Sequence, residues 1–379
     1  MNIVPNPLTI NGLLSIPNEQ FVIPSYQRRY AWKEPQVWAL FEDIDMLQDG
    51  DGHLFGMLIL HSSKPHHAGI NQLDLVDGQQ RLTTLSLLLL AILKKYKEEE
   101  NEEKIADINK MLYCKDYNDK TFQKLILGDL DNDDFKRILK NNYAEIQNKN
   151  LLNAFNNFSI WIDKKTEDYG IIWLNKFFYK LVNVAKIIRL DVSHAQDAYK
   201  LFETINNRGL KLSATDIIKN FILGHAAKIS ESKLDEVKTI WSDIIISLDG
   251  LNTDDFFRQY ITGLYQRKIT HTKLVEEFKN YYFKNVDKVE LLGVFKYIEI
   301  QNDSLEEDEE EDIIEDFAIL EDTKENKSEN KKVDITVFLQ QILNASKTYK
   351  KIIFCNDADN QINKLLRDLT LIKSFPSYI

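Results

Sequence analysis

Cysteine is scarce: Cys114 and Cys355 are the only two in 379 residues. Two thiols cannot make a disulfide framework, so a reducing cytoplasm is the expected setting. Long apolar runs are also missing. The longest, Leu87 to Leu93, falls far short of the roughly 20 residues a spanning helix needs, and no membrane partner is expected. The opening residues, MNIVPNPLTI, carry no basic stretch ahead of an apolar one, so no signal peptide is expected. Basic residues are not in excess either. Lys plus Arg is 48 against 59 for Asp plus Glu, a net charge of −11. Twelve of those acids lie between Asp303 and Asp322 with no base among them, which leaves the remainder at +1. The acidity is therefore a local insert, and bulk charge gives no basic footprint for DNA while leaving local phosphate sites open. There is no Gly-rich Walker A run, no His-Glu-x-x-His, no Gly-x-Ser-x-Gly and, in the last third, no His-Asn-His pattern.

What is present describes a folded protein. Hydrophobic residues make up 44% and charged residues 28%, enough to bury a real core in two or three domains. Phe21 to Pro24 reads as a short strand stopped by proline. Pro35 to Leu47 has helical apolar spacing, with proline suited to a first turn. His53 to His61 and Gln72 to Val76 read as strands, cheapest to join as a hairpin. Gln79 to about Lys97 predicts a helix with Leu82, Leu85, Leu89, Ile92 and Leu93 on its core face and lysines in its last turn. Residues 98–180 read as helical, polar and Asn/Lys-rich with aromatic anchors. Ala185 to Val192 is a strand, Gln196 to Asn206 a helix stopped at Asn207-Arg208-Gly209, and Ser213 to Asp216 fits a capping box. From Lys233 onward only helices are expected, interrupted by the acidic tract as a solvated spacer.

Three segments carry residue types suited to chemistry. Asp77-Gly78-Gln79-Gln80-Arg81 lies between a strand and a buried helix, whose N-terminus is a ready anion site. Gly78 would let a ligand approach the backbone, Arg81 offers a planar fork for phosphate oxygens, and Asp77 is suited to hold a metal ion or orient a water. Asp77 serves equally well as a simple helix cap. The second segment is Ile23 to Trp32. If extended, it puts Tyr26, Arg28, Tyr30 and Trp32 on one face and Gln27 and Arg29 on the other, a pattern for base stacking beside phosphate or for ordinary packing. The third runs from Phe202 to Lys219, where Asn207, Arg208, Asp216 and Lys219 are more polar than a plain helix connection demands. Four of the seven histidines, His53, His61, His66 and His67, gather around the first hairpin without the partners a zinc site needs.

Together, in this order, I-P-x-Y-Q-R-x-Y-x-W at Ile23 to Trp32, D-G-Q-Q-R-L-T-T-L at Asp77 to Leu85 and F-E-x-x-N-x-R-G-x-x-L-S-x-x-D-x-x-K at Phe202 to Lys219 resemble the N-terminal domain of GmrSD-type modification-dependent restriction enzymes. The likeness covers roughly residues 5–225. It implies an α+β, ParB/sulfiredoxin-like small mixed sheet with helices, here over residues 1–225 with a helical insertion at about 98–180. A mainly α-helical region, 226–379, follows, with its acidic spacer at about 303–330. It also implies a bacterial anti-phage system in which this domain binds and hydrolyses a nucleoside triphosphate with Mg²⁺. By position, Asp77, Gln79 and Arg81 would be catalytic, with Asp77 as the magnesium ligand. Tyr26, Gln27, Arg28, Gly78, Gln80, Asn207, Arg208, Asp216 and Lys219 would bind nucleotide. Relatives continue into a His-Asn-His nuclease domain, so the implied partners are modified phage DNA and either a separate nuclease chain or a missing C-terminal domain. Whether two copies pair as a homodimer stays open. Arg81→Ala is expected to abolish turnover with the fold intact. Two other readings remain: a DNA-binding sensor that does not hydrolyse, and a protein-interaction scaffold.

Overall fold

The computed structural model describes residues 5–48, 54–62, 69–195, 197–199, 201, 213–287 and 332–370. Eight short strands are spaced among the helices: β1 (Asn6–Thr9), β2 (Glu19–Val22), β3 (Leu54–Ser62), β4 (Asn71–Asp77), β5 (Tyr113–Lys115), β6 (Thr121–Gln123), β7 (Leu125–Ile126) and β8 (Lys186–Val192). Six of them make one mixed sheet in the order β1-β8-β3-β4-β2-β7, while β5 and β6 pair separately. β3 and β4 are antiparallel, the expected hairpin. β8 runs parallel to β3, and β2 runs parallel to both β4 and β7.

Alternation along these strands fixes the layers. In β4, Leu73 and Leu75 enter one core while Val76 enters the other; in β3, Leu58 and Leu60 part from Ile59 in the same way. Period-two side chains thus give the sheet two apolar faces, and both must be covered. The first face packs α2 (Glu34–Met46), α3 (Gln79–Glu98), α4 (Glu102–Leu112), α5 (Asn132–Leu139), α6 (Lys149–Tyr169) and α7 (Ile171–Tyr179), following the short α1 (Ile10–Leu14). The second face packs α8 (Ala214–Ile229), α9 (Glu231–Ser247), α10 (Thr253–Tyr265), α11 (Leu274–Asn285) and α12 (Ile335–Ile353); α13 (Asn360–Thr370) ends the described chain. The result is an α+β architecture, a mixed sheet between two helical layers with a helical C-terminal region. No helix among the described residues is long and apolar enough to cross a membrane.

The central helix α3 is buried nearly all round, from Leu82 to Leu93 and again at Tyr96, with Lys95 and Lys97 in its last turn. A helix apolar on every side belongs in the middle of a core, and here α6 closes over the side that the sheet leaves open. The stretch 98–180 is not helical throughout. It contributes β5, β6 and β7, and β7 becomes an edge of the main sheet. Strands of two or three residues are too short to show a period, which is why composition hid them. The expected helix over 196–206, its stop at Gly209 and the acidic tract 303–322 lie almost wholly outside the described residues, as do His53, His66 and His67.

Candidate functional site

The turn from β4 into α3 is built around Gly78. Its φ of +93° is left-handed, and a Cβ there would meet Leu58 Cδ2 at 2.3 Å and the Met57 carbonyl at 2.9 Å. Glycine is thus required by the close approach of β3, with Leu58 lying where a side chain would stand. Arg81 is likewise turned inward. Its guanidinium lies against Gly56 (φ +90°) and donates to the Met57 carbonyl at 2.8 Å. Its stem and head help pack β3 onto α3, so removing Arg81 is expected to disturb the fold as well as the site. Gln80 is spent on structure: its Oε1 accepts from the Ala31 N–H at 2.7 Å, and its Nε2 donates to the Arg29 carbonyl at 3.1 Å. Gln79 differs. Its Oε1 is buried without a hydrogen-bond partner.

The segment Ile23 to Trp32 is not an extended strand. It turns at Ser25 and Tyr26, with the Gln27 N–H bonded to the Pro24 carbonyl. The turn sends its aromatics to opposite sides of the sheet. Tyr26 joins the second core with its hydroxyl 3.1 Å from that of Tyr199, and Tyr30 joins the first with its hydroxyl 2.8 Å from Thr84 Oγ1. Both rings are packed, which is the cause of the raised Tyr26 and Tyr30 hydroxyl pKa values: burial comes first in each case. Gln27 bridges elements, donating to the Val76 carbonyl at 3.0 Å while its Oε1 accepts from Lys219 Nζ.

The third segment meets the other two at this point. Ser213 caps α8, its hydroxyl oxygen accepting from the Asp216 N–H at 3.1 Å, as the capping box requires. One turn on, Lys219 Nζ lies 3.3 Å from Asp216 Oδ1, and from the far side Arg28 Nε lies 3.6 Å from Asp216 Oδ2. Asp77 is within electrostatic reach of Arg81, Lys219 and Asp216. Gln27, Arg28, Asp77, Asp216 and Lys219, from segments up to 192 residues apart in the sequence, therefore form one polar cluster. Only Arg28 is well exposed, its side chain 47% accessible. Asn207 and Arg208 lie outside the described residues.

The two carboxyls respond to this environment in opposite ways. Burial pushes the Asp77 carboxyl above its usual range, against the pull of Arg81, the Gly78 N–H and Lys219. Burial would raise Asp216 too, but Lys219, Arg28 and the Ser213 hydroxyl outweigh it and hold that carboxyl below its usual range. The Lys219 ammonium is lowered by burial, with Asp216 opposing. Asp216 and Lys219 are thus a compensated pair, and Asp77 is the carboxyl with capacity to spare.

Sequence reasoning passed over Arg29, which organises the neighbourhood. Its guanidinium bonds Asp131 Oδ1 at 2.8 Å, both oxygens of Asp249 at 2.9 and 3.0 Å and the Leu130 carbonyl at 3.1 Å. Asp131 in turn accepts from the Tyr30 N–H and from Asn148 Nδ2. The adjacent Arg-Arg in the sequence was the one available signal, since nothing local marks Asp131 or Asp249 as partners. Two clefts flank this arginine pair. One, of only about 20 Å³, is lined by Gln27, Arg28, Gln79 and Thr83 with the loop Gly128–Asp131. The other, of about 220 Å³, lies between Arg28, Asp216 and Lys219 and the helices α9 and α10. Among the described residues, no three His, Cys, Asp or Glu side chains converge as a metal centre. A magnesium ion held by a single carboxylate together with a nucleotide's own phosphates needs no such centre, and Asp77 fits that lesser demand.

A mixed sheet between two helical layers, with three separate segments brought to one buried ionic cluster, defines an α+β domain. Residues 10–223 match the family model described as the GmrSD restriction endonuclease, N-terminal domain. The match takes in more than half of the chain, and the protein belongs to that family, which ties it to restriction systems acting on DNA. No curated protein matches the sequence.

Proposed function

We propose that the protein is the nucleoside triphosphate-binding and -hydrolysing regulatory subunit of a modification-dependent restriction system. The observation that carries this reading is the convergence of Gln27, Arg28, Asp77, Asp216 and Lys219 at the start of α3. Cations there are matched to an anionic ligand, and a carboxyl of raised pKa stands beside them. Arg28, exposed and facing the larger cleft, offers a fork for phosphate oxygens. Asp77 would hold Mg²⁺, which supplies charge neutralisation on the phosphates when bound. Gln80 and Arg29 would act by positioning, since each fixes the loop that carries Gln27 and Arg28. Hydrolysis would alter contacts with a His-Asn-His nuclease, a separate partner or a domain of the longer protein, in response to modified DNA.

The experiment is phosphate release from each of the four ribonucleoside triphosphates with Mg²⁺, with and without modified phage DNA. Wild type is run beside Asp77→Asn and Lys219→Met. Loss of turnover in both variants with the fold retained is the expected result. Wild-type rates in both would overturn the site assignment. Binding without turnover under every condition would favour a non-hydrolysing sensor.

A further inference from the structure

Residues 288–331, outside the described structure, start and finish at one place. Val286, just past the end of α11, bridges to Val333. The Asp287 N–H donates to the Val333 carbonyl at 2.8 Å, and the Val333 N–H donates to the Asn285 carbonyl at 2.8 Å. The segment that must leave and return there holds Asp303 to Asp322, with twelve acids, no base, and the apolar Ile313, Phe317 and Leu320 among them. The surface beside that point has the opposite character. On α8, Phe221, His225 and Ile229 recur at every fourth residue and share one side, with exposed Lys228 next to them. Phe283, in the last turn of α11, has its ring 5.4 Å from that of Phe221 and 5.8 Å from that of His225. One turn earlier, Lys279 Nζ lies 5.0 Å from the centre of the Phe221 ring. Burial, with the Lys228 and Lys279 cations, pushes the His225 imidazole down to about 4, so at neutral pH it is an uncharged ring near two cations. Among the described residues, the charges acting on it are both positive. Asp334, at the start of α12, is already engaged by Lys233 at 3.4 Å and by the Thr336 N–H.

We propose that this basic, aromatic patch on α8 and α11 is the docking surface for the chain's own acidic tract, residues 303–322. The tract's apolar residues lie against the rings and Ile229, and its carboxylates surround Lys228 and Lys279. Charge complementarity selects an acidic occupant, and a surface that is half ring and half cation selects one that is acidic and apolar together. Tethering selects this tract among acidic segments. Phe283 stands three residues before Val286, where the segment departs, and the ten residues 323–332 that lead back can span at most about 33 Å. A segment held on so short a tether acts at an effective concentration on the order of millimolar, so modest contacts suffice to seat it. The tract is then a reversible cover for the outer helical layer, released by salt or by a competing anion, and not the solvated spacer its composition suggests.

The test begins with carbodiimide cross-linking of the full chain, which joins a lysine amine to a carboxylate in contact with it, read by mass spectrometry. Links from Lys228 or Lys279 to acids of 303–322 within one copy are expected, and they should fade at high salt. In a second arm, a labelled peptide of residues 303–322 is titrated by fluorescence anisotropy into two full-length chains. One is wild type; in the other, every Asp of the tract is changed to Asn and every Glu to Gln. The neutralised chain is expected to bind the peptide about tenfold more tightly than wild type, whose patch its own tract already fills. Lys228→Glu in the neutralised chain, an exposed change that spares the core, should weaken the peptide by about tenfold. Equal binding by the two chains, no binding by the neutralised chain, or indifference to Lys228→Glu would each overturn the proposal. Links found only between two copies would overturn it as well, in favour of an interface with a second chain. No readout here involves a nucleotide, so failure of this inference leaves the reading of the ionic cluster untouched.

Discussion

Asp77 and Asp216, in electrostatic contact with each other, respond to pH with opposite signs. Asp77 keeps its proton above the ordinary carboxyl value of 3.8, so its favourable contribution is complete below that value and lost as pH rises through the folded pKa. Asp77→Asn is therefore expected to raise the melting temperature near neutral pH and to change it little in acid, even as it abolishes turnover. Asp216 is held below 3.8, so its contribution is present above that value and lost as pH falls through the folded pKa. Asp216→Asn should lower the melting temperature near neutral pH, with the difference closing as the solution is acidified. Thermal melts across a pH series check both, and like-signed shifts would refute the assignment. Gly78→Ala combines a left-handed φ with a Cβ placed on Leu58, and should cost about 2–4 kcal/mol by urea denaturation.

At the level of elements, the β4–α3 turn and the first-motif loop act as one unit because Gln80 joins them. Gln80→Leu removes a donor and an acceptor at once and strands the Ala31 N–H and the Arg29 carbonyl. It should destabilise by about 1–3 kcal/mol and loosen the Gln27–Arg28 loop, which raises KM more than it lowers kcat. The main elements were legible in sequence: α2 from apolar residues at helical spacing, α3 from a long apolar run closed by lysines, and β3–β4 from two apolar segments flanking a turn-rich stretch. The Ser213 cap was legible from four residues. Of the two readings of Ile23 to Trp32, a single extended face or ordinary packing, the structure takes packing for a physical reason. Alternating aromatics look like one face of a strand, yet a turn at Ser25 and Tyr26 delivers Tyr26 and Tyr30 to two different cores. The same pattern satisfies both, and only the presence of two apolar layers decides.

Across the whole molecule, Arg29 ties the loop layer to the helical layer, joining residues 220 positions apart. Its two hydrogen-bonded carboxylates are not equivalent, since Asp131 is buried and Asp249 is about one-third exposed. Arg29→Met leaves Asp131 buried beside no cation and should cost about 3–5 kcal/mol. Asp249→Ala removes an outer pair and should cost about 0–1 kcal/mol. Urea unfolding of the two variants checks that asymmetry. If Asp249→Ala nevertheless weakens nucleotide binding, the seam between the layers takes part in the site.

The sequence by itself determined the order of the principal strands and helices, the Ser213 cap, and the three segments whose family likeness implied an α+β fold. These are local properties, written in periodicity and in turn chemistry. Only the tertiary structure decided which of those polar residues face one another. Gly78 and Arg81 turned toward β3, and Gln80 toward the loop, because packing and unpaired backbone groups claimed them first. Asp77, Gln27, Arg28, Asp216 and Lys219 were left to meet at one place. Their partners are distant in the chain, and a pairing that spans 192 residues has no local signature.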